Sequence, residues 1–459
     1  MRVAKFIAST FVAALSCYSN VAALCQNSRF RCSYSKWGIL HRGSLRMTSL
    51  GSEDSSPKSF FNRMNQAVRF CVASSVALST FIGSSNLPVL ADSRLNAPSS
   101  AGTRVNSDAE SLLRYGLPIS NKEIREIQNS VEAAKVDLKT RRIIFAKQDI
   151  ANVKALLSRY ESKLLNAVPA ANLVAAKESL ENLKSDVVPL LAAIEAESAA
   201  GSGSLQERKG LDDAFEAQKL LSQELSRFEE LMVPPTFTRT IPDEFKSLPA
   251  LQRRAEVEMT FKKPDGSQYD VDGRLYDSVT VKMVIDGYNA PLTGGNFVDL
   301  ISKGFYNGMT IQRSDGFVIQ TGDSNPSGAV HGYVPKDSKT ERIIPLEISV
   351  KDDAELLYGV TTEDDMRGYA ATVLPFQSYG ALGMARSEFE ANSASSQFFW
   401  LLFESDLTPA GKNMLDGRYS CFGYTVDGAD LLKDVKEGDV IVSAKVTKGL
   451  ENLSTGGTI

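Results

Sequence analysis

The stretch Gly316-Phe317-Val318-Ile319-Gln320-Thr321-Gly322-Asp323 stands in the C-terminal half of the 459-residue chain. Apolar and polar residues alternate around it in runs such as residues 279–286, and Gly, Asp and Asn separate the runs. Alternation of apolar and polar residues with a period of two residues predicts half-buried strands joined by turns. One helix is predicted here, from a cap at Thr293 to Gly304. An all-β barrel with few helices is therefore the economical architecture for residues 253–459.

Several other stretches carry a family resemblance together with this one. In chain order they are Asn296-Phe297-Val298-Asp299-Leu300, Gly304-Phe305-Tyr306-Asn307-Gly308, Arg313, residues 316–323, Met384-Ala385-Arg386, Ser396-Gln397-Phe398-Phe399 and Leu415-Asp416-Gly417-Arg418-Tyr419-Ser420-Cys421-Phe422-Gly423. In this order they resemble the cyclophilins. The resemblance implies an eight-stranded closed barrel that isomerises X-Pro peptide bonds, which takes tens to hundreds of seconds without a catalyst. It implies no nucleophile, metal or cofactor.

The resemblance also implies a catalytic pair and an apolar slot for a proline ring. Arg313 is the implied cation, and Gln320 hydrogen-bonds the substrate backbone. A guanidinium keeps its proton and offers a planar fork of donors, which suits polarising a peptide group. A surface ion pair would be the preferred interpretation of Arg313 without its neighbouring motifs. The implied substrate-binding residues are Phe317, Val318, Met384, Ala385, Gln397, Phe399, Met414, Leu415 and Tyr419. Barrel core is the alternative for Phe317, Met384, Phe399 and Leu415.

The chain departs from the cyclophilin pattern at the site itself. Ile311-Gln312-Arg313 stands where the family has Phe-His-Arg, and the interval from Arg313 to Phe317 is one residue shorter. A misplacement of about one ångström can cost on the order of a hundredfold in rate. Met414 replaces an indole and Tyr419 a histidine, and residues 404–413 form a longer segment. These changes predict a weaker grip on substrate and on cyclosporin.

Residues 111–233 carry helical periods. Apolar residues recur at steps of three and four in three stretches, residues 143–164, 173–194 and 211–232. Ser120 followed by Glu123 predicts the start of a shorter helix, and Pro189 predicts a kink or an early end. A self-contained all-α bundle is favoured over a zipper that captures a partner helix, because successive amphipathic helices joined by short loops usually pack on each other.

The flanking segments lack helical periods. Residues 92–110 are rich in Ser, Ala, Asn and Pro and are interpreted as a flexible leader. The proline-rich residues 234–252 are interpreted as an extended linker between the two cores. A bundle tethered in this way beside a binding groove is well placed to cover it.

Residues 1–91 have the composition of a multipartite targeting presequence. Residues 1–23 have the three-part build of a signal peptide, residues 25–50 are basic and serine-rich like a transit peptide, and a second signal ends near Ala91. Membrane anchors are the alternative, but the apolar runs fall short of the roughly 18 to 20 residues that span a bilayer. This order resembles presequences for the thylakoid lumen of a plastid that is reached through the endomembrane system. No membrane span is expected in the mature form.

Loss of residues 1–91 would leave an acidic chain with 41 basic and 53 acidic side chains. That balance argues against nucleic acid as a partner. Cys421 would be the one remaining cysteine and His331 the one remaining histidine. An internal disulfide is then excluded, and a Cys/His zinc site lacks ligands.

A bundle, a proline-rich linker and a diverged cyclophilin domain together resemble the large multidomain cyclophilins of the thylakoid lumen. That resemblance implies a role in photosystem II assembly and maintenance, with X-Pro segments of photosystem II subunits as partners. It also implies contact with a thylakoid protein phosphatase. Two hypotheses stay open at this point: an active isomerase, and a binding module or chaperone whose groove is regulated by the bundle. A purely structural lumenal subunit is a third hypothesis, which requires the groove to be closed permanently.

Overall fold

The computed structural model describes residues 106–271, 273–328, 330–368, 370–403 and 413–455. The predicted presequence and most of the predicted leader lie outside the described residues, as does most of the longer segment at 404–413. None of the described helices combines the length and the apolar character that crossing a bilayer requires.

The N-terminal part is helical. Its α-helices are α1 (Ala109–Tyr115), α2 (Lys122–Lys139), α3 (Ile143–Asn166), α4 (Leu173–Ala199) and α5 (Leu205–Leu231). A 3₁₀ turn at Ala170–Asn172 precedes α4. Helices α2 to α5 bury their apolar stripes on one another in one cluster, so that Leu157, Leu180 and Leu221 are almost fully buried. The predicted helical bundle is confirmed.

The cap expected for the first long helix and an early end at Pro189 are not found. The cap of α2 is Asn121 rather than Ser120, since the Asn121 side chain accepts a hydrogen bond from the Ile124 amide at 2.9 Å. Helix α4 does not end at Pro189 but continues to Ala199. Val187 and Leu190 on either side of the proline are fully buried in the bundle, and this packing offsets the lost backbone hydrogen bond.

Helix α1 was not predicted. Asp108 caps it through the Ser111 amide at 3.0 Å, and it has seven residues. Two faces of α1 have different partners: Leu112 and Leu113 pack on the outer face of the barrel, whereas Arg114 donates to Ser222 on α5 and to Glu132 on α2. This short helix therefore joins the two halves of the chain.

The C-terminal part is mainly antiparallel strand. The elements are β1 (Ala250–Leu251), β2 (Arg254–Lys262), β3 (Tyr269–Val271), β4 (Arg274–Tyr276), β5 (Val279–Asp286), α6 (Pro291–Ser302), β6 (Arg313–Ser314), β7 (Val318–Thr321), β8 (Glu347–Ile348), β9 (Leu357–Tyr358), β10 (Ala381–Met384), β11 (Phe398–Leu401), β12 (Cys421–Asp427), β13 (Val440–Lys448) and β14 (Leu453–Ser454). The 3₁₀ segments here are Asp243–Phe245, Ala429–Asp434 and Leu450–Asn452.

Eight of these strands form one curled sheet in the order β13-β2-β5-β12-β10-β11-β7-β6. Alternate strand residues fill its interior with a cluster that includes Phe261, Phe398, Trp400 and Phe422, and Phe297 of the helix Pro291–Ser302 packs into the same cluster. The pairs β1–β14, β3–β4 and β8–β9 lie outside this sheet. The cyclophilin-type fold predicted for this half is confirmed.

The regular strand pairing does not run from β6 to β13, so the barrel is closed only approximately. Residues 308–311 and 438–441 bridge the two edges, and we call these two segments the barrel seam. Gly308 donates its amide to Ile441 at 2.7 Å and Ile441 donates to Met309 at 2.8 Å. Ile311 and Gly438 complete the seam with hydrogen bonds to Asp439 and Ile311 at 2.8 and 2.9 Å.

Helix α6 starts at Pro291, not at a Thr293 cap. The buried carboxylate of Glu347 accepts hydrogen bonds from the Leu292 and Thr293 amides at 3.1 and 2.9 Å and so satisfies the first turn. The predicted stop is present, because Gly304 adopts a φ of 68° just after the helix.

A buried polar group on the barrel holds the end of α1. Asp286 binds the Arg254 guanidinium at 2.9 and 2.7 Å and the Asn289 amide at 3.1 Å. Arg254 and Asn289 in turn donate to the backbone carbonyls of Leu113 and Gly116. The connector is held as well: Arg239 donates to the backbone of Tyr288 at 2.8 Å. The bundle is therefore packed on the barrel.

Candidate active site

One row of side chains crosses the outer face of the barrel where the implied catalytic residues stand. Arg313 on β6 pairs with Gln320 on β7, and Gln320 pairs with Phe399 on β11. Phe399 pairs in turn with Gly383 on β10. Paired residues on neighbouring strands point to the same face of a sheet. The register therefore places Arg313, Gln320 and Phe399 side by side.

The ring of Phe399 forms the floor of this row. A Cβ added to Gly383 would lie 2.1 Å from the Phe399 ring, so the ring lies across the strand in the space that the glycine leaves. Phe376 stacks on the ring with 5.9 Å between centroids, and Tyr419 meets it edge-on at 5.8 Å. Phe399 is 5% exposed. The result is a rigid apolar surface beside the polar end of the row.

Arg313 and Asp315 form an ion pair at that polar end. The Arg313 side chain is 53% exposed, and its Nε and Nη2 lie 2.7 and 2.5 Å from one oxygen of Asp315. The other oxygen accepts hydrogen bonds from the Val318 and Phe317 amides at 3.0 and 2.9 Å. These backbone hydrogen bonds, followed by that of Arg313, hold the pKa of Asp315 below its ordinary value despite partial burial. Asp315 thus closes the shortened turn and holds the guanidinium.

An exposed guanidinium, a glutamine and an apolar ring on the outer face of an eight-stranded barrel form the site that the motifs imply. The sequence profile of the family described as cyclophilin type peptidyl-prolyl cis-trans isomerase/CLD matches residues 274–452. A second profile, described as a peptidyl-prolyl cis-trans isomerase CYP38-like, PsbQ-like domain, matches residues 108–233.

Three curated relatives carry the same family name. "Peptidyl-prolyl cis-trans isomerase CYP38, chloroplastic" of Arabidopsis thaliana is 41% identical over 352 residues, which cover 76% of this chain and 75% of that protein. A Synechocystis protein, named for the thylakoid lumen and for peptidyl-prolyl isomerisation, is 40% identical and covers 76% of this chain and 85% of its own length. "Peptidyl-prolyl cis-trans isomerase CYP37, chloroplastic" of Arabidopsis thaliana is 36% identical over 49% of this chain and 46% of its own.

The chain belongs to the cyclophilin-type peptidyl-prolyl isomerase family.

Most of the implied substrate-binding residues of this cyclophilin lie together. Gln320 donates its side-chain amide to the Gln397 side chain at 3.0 Å, which joins the implied catalytic glutamine to one member of the substrate-binding set. The outer-face apolar cluster contains the others that are brought together, namely Phe317, Val318, Ala385, Phe399, Leu415 and Tyr419. The Arg386 guanidinium lies 5.0 Å above the Tyr419 ring.

Two implied residues lie elsewhere. Met384 pairs with Phe398, belongs to the interior cluster and is 2% exposed, so its side chain points into the barrel. The implied role of Met384 in the slot is therefore wrong, because its neighbour Ala385 occupies the outward position. Met414 is 64% exposed and stands outside the apolar cluster, next to the undescribed residues 404–412.

Sequence reasoning missed three contributors to the cyclophilin site. Asp315 carried a signal, since a carboxylate two residues after the key arginine and before a glycine favours a turn with an ion pair. Phe403 packs on Phe317 with 5.7 Å between centroids, and Phe376 packs under Phe399. The positions of both phenylalanines depend on tertiary packing, which no local motif reports.

Cys421 and His331 lie outside the row of Arg313, Gln320 and Phe399. Burial raises the pKa of the Cys421 thiol well above its ordinary value, and the sulfur lies 3.9 Å from the Gly423 carbonyl oxygen. His331 lies 2.9 Å from Asp323 on an exposed turn. Within the described part of the chain, no group of three His, Cys, Asp or Glu side chains is placed to hold a metal ion.

Proposed function

We propose that this chain is a cyclophilin of the thylakoid lumen that isomerises X-Pro bonds in lumenal polypeptides, foremost in photosystem II subunits. In that role it acts in assembly and maintenance of the photosystem. The observation that carries the proposal is the outer-face row, in which the half-exposed Arg313 stands beside Gln320 and the ring of Phe399.

The row suits the physical demands of the reaction. Rotation about an X-Pro bond is slow because the amide nitrogen is conjugated with the carbonyl. Conjugation is lost when the nitrogen pyramidalises, and a fixed cation beside that nitrogen favours the twisted state. Arg313 supplies the cation, Gln320 a hydrogen bond to the substrate backbone, and Phe399 an apolar surface for the proline ring. The mechanism calls on no covalent intermediate.

The proposed location rests on two independent supports. The names of the relatives at 41% and 40% identity place those proteins in the chloroplast and the thylakoid lumen. Residues 1–91 of this chain carry the predicted series of signal, transit and second signal. We assign the chain to the lumen of a plastid reached through the endomembrane system, and we keep a thylakoid protein phosphatase as a further partner.

A second candidate function has an observation of its own. Asp315 neutralises Arg313, and Leu112 and Leu113 of α1 belong to the same apolar cluster as Val318 and Phe399. The cation of this groove is paired, and the apolar floor of the groove is continuous with the bundle. Both features suit a binding module that holds an X-Pro segment without turnover. The bundle would then regulate the groove through that shared cluster.

One experiment separates the two functions. Residues 92–459 contain all described residues, and they would be tested in a protease-coupled X-Pro isomerisation assay and, in parallel, for binding of the same peptide by fluorescence anisotropy. Arg313→Ala is the test variant. Arg227→Ala is the matched control, because Arg227 is a half-exposed arginine of the bundle that pairs with Glu224.

Activity that falls at least about a hundredfold in Arg313→Ala, and stays unchanged in Arg227→Ala, would support the isomerase. Peptide binding without turnover above the uncatalysed rate would support the binding module. If the protein shows no turnover and no peptide binding, both candidate functions are overturned.

A further inference from the structure

One end of the helical bundle differs in charge from the rest of the chain. Residues 139–148 and 200–209 contain six basic side chains and one acidic side chain, whereas the whole chain has a net charge of −4. The two segments are the turns from α2 to α3 and from α4 to α5. We call these two turns, with the first residues of the helices that follow, the basic tip.

The two turns lie together in space. Arg141 in the first turn pairs with Glu207 in the second at 3.5 Å. Lys147 on α3 pairs with Glu195 near the end of α4 at 3.0 Å, which confirms that both helices reach the same end of the bundle. The basic tip is therefore a single surface, although its two segments are about sixty residues apart in the sequence.

The basic tip also exposes large apolar side chains. Ile144 is 80% exposed, Leu205 is 78% exposed and Phe145 is 51% exposed. The Arg142 guanidinium lies 4.5 Å above the Phe145 ring. Single exposed apolar side chains are common on protein surfaces. Large apolar side chains surrounded by cations are typical of protein surfaces that bind at a lipid interface.

Several of the cations remain available to a partner. Arg208 and Lys209 are exposed, and among the described residues neither forms an ion pair. Arg141, Arg142 and Lys147 are at least half exposed while they pair with Glu207, Asp137 and Glu195. Asp212 and Asp213 are exposed one turn further along α5, behind the first turn of the helix. Acidic side chains flank the two turns, at Asp137 and Asp149 on one side and at Glu195, Glu197, Asp212 and Asp213 on the other, so the excess of positive charge is confined to the turns themselves.

The basic tip lies at a distance along α5 from the place where this helix contacts the barrel. Lys219 on α5 pairs with Asp427 of β12 at 3.0 Å, and Leu205 lies fourteen residues before it in the same helix. At a rise of about 1.5 Å per residue, that is about 21 Å of helix. The basic tip is therefore well separated, along α5, from this contact with the barrel.

We propose that the basic tip docks this protein on an anionic lipid surface. Exposed apolar side chains among cations fit a lipid interface, where the apolar groups enter the headgroup layer and the cations meet its negative charge. Ile144 and Leu205 enter the headgroup region, and the surrounding cations bind lipid phosphates or sulfonates. The site is independent of the groove, so it stands whether or not the isomerase proposal does.

The test is co-sedimentation of residues 92–459 with vesicles, because this chain keeps all described residues and lacks the apolar runs of the presequence. Vesicles of phosphatidylcholine alone are compared with vesicles that contain about 30% phosphatidylglycerol. We expect partitioning to be at least about tenfold stronger on the anionic vesicles and to weaken as salt is added.

Two tip variants and two matched controls locate the contact. Arg208→Glu with Lys209→Glu should lower partitioning about 20-fold or more, since each cation contributes about fivefold near an anionic surface. Ile144→Glu with Leu205→Glu should lower it on a similar scale. The controls are Lys154→Glu with Lys177→Glu, which are exposed along the bundle, and Val174→Glu, which is 83% exposed at the opposite end. The controls should keep wild-type partitioning.

A fluorescence measurement gives an independent readout. Trp400 is the one tryptophan of residues 92–459 and is fully buried. In an Ile144→Trp variant the emission should shift to the blue when anionic vesicles are added, whereas a Val174→Trp variant should not respond. Absence of vesicle binding by the wild type, or equal losses in tip and control variants, would overturn the proposal. Capture of an acidic protein by the basic tip without any vesicle binding would also overturn it.

Discussion

Two nitrogens of Arg313 rest on a single oxygen of Asp315, at 2.7 and 2.5 Å, while the other oxygen of Asp315 closes the turn to Val318. One carboxylate therefore fixes the position of the guanidinium and lowers its effective charge. This turn accommodates the shortened interval between Arg313 and Phe317.

We expect Asp315→Asn to raise kcat/KM for an X-Pro peptide by about three- to tenfold, because the neutral amide keeps an acceptor for the Phe317 and Val318 amides but no longer neutralises Arg313. Asp270→Asn is the control, since Asp270 closes another exposed turn through the Gly273 amide at 2.8 Å. A fall in kcat/KM would mean that Asp315 acts mainly by orienting Arg313.

Gly383→Ala should weaken peptide binding at least about tenfold. The new Cβ would lie 2.1 Å from the Phe399 ring, which must leave its place over the strand. Binding is measured by anisotropy, and thermal unfolding separates loss of the slot from loss of the fold. Gly201→Ala is the matched control, because a Cβ at Gly201 meets nothing within 4 Å. Unchanged affinity in Gly383→Ala would show that the ring is not part of the binding surface.

Leu113→Ala tests the coupling between the bundle and the groove. Leu113 is 4% exposed and packs in the same cluster as Phe376 and Phe399. We expect a loss of about 2 to 4 kcal/mol in the free energy of unfolding and a severalfold gain in peptide affinity, because α1 no longer presses the cluster against the slot. Leu220→Ala, 57% exposed on α5, should change neither quantity. A loss of stability with no change in affinity would argue against regulation through α1.

Glu229 should make stability depend on pH. Burial raises the pKa of its carboxyl to about 7, although Arg125 lies 2.8 Å away and opposes the shift. The folded chain then binds this proton more tightly than the unfolded chain, so stability falls as pH rises from about 4.5 to 7 and is level above that.

The matching variant is Glu229→Gln. It should raise the free energy of unfolding above pH 7, by up to about 3 kcal/mol, and change it little below about pH 4.5. Urea unfolding of the wild type and the variant at several pH values measures the free energy of unfolding above and below these limits. The control is Glu216→Gln on the exposed face of α5. A constant difference between wild type and variant at every pH would rule out titration of Glu229.

The sequence predicted the parts of the site that depend on local order. The family resemblance of their motifs implied roles for Gln320 and Phe399, and the strand register places the two residues side by side on the outer face. The strand period of two residues explains the error at Met384: Ala385 and Met384 are adjacent, so only one of them can face outward. The family resemblance implied Met384 for the apolar slot, but strand register places its side chain in the core.

The joint between the two halves could not be predicted in the same way. Helix α1 has seven residues, too few to display a helical period, and its partners Arg254 and Asn289 lie more than 130 residues further along the chain. Those contacts depend on tertiary packing alone. The bundle core was predictable because the long stripes of α3, α4 and α5 repeat over many turns.

We expect local unfolding of the barrel to begin at the barrel seam. Backbone hydrogen bonds between residues 308–311 and 438–441 replace a full strand ladder there, so opening the seam separates the two edges of the sheet while the long β2–β5 and β2–β13 pairings stay intact. Amide hydrogen exchange measures this: the amides of Gly308 and Gly438 should exchange well before those of Val257 and Met283. A barrel that opens at this seam unfolds in a defined order, with the seam before the core. While the seam is open, its two strand edges are exposed, and another extended segment can pair with them before the core unfolds.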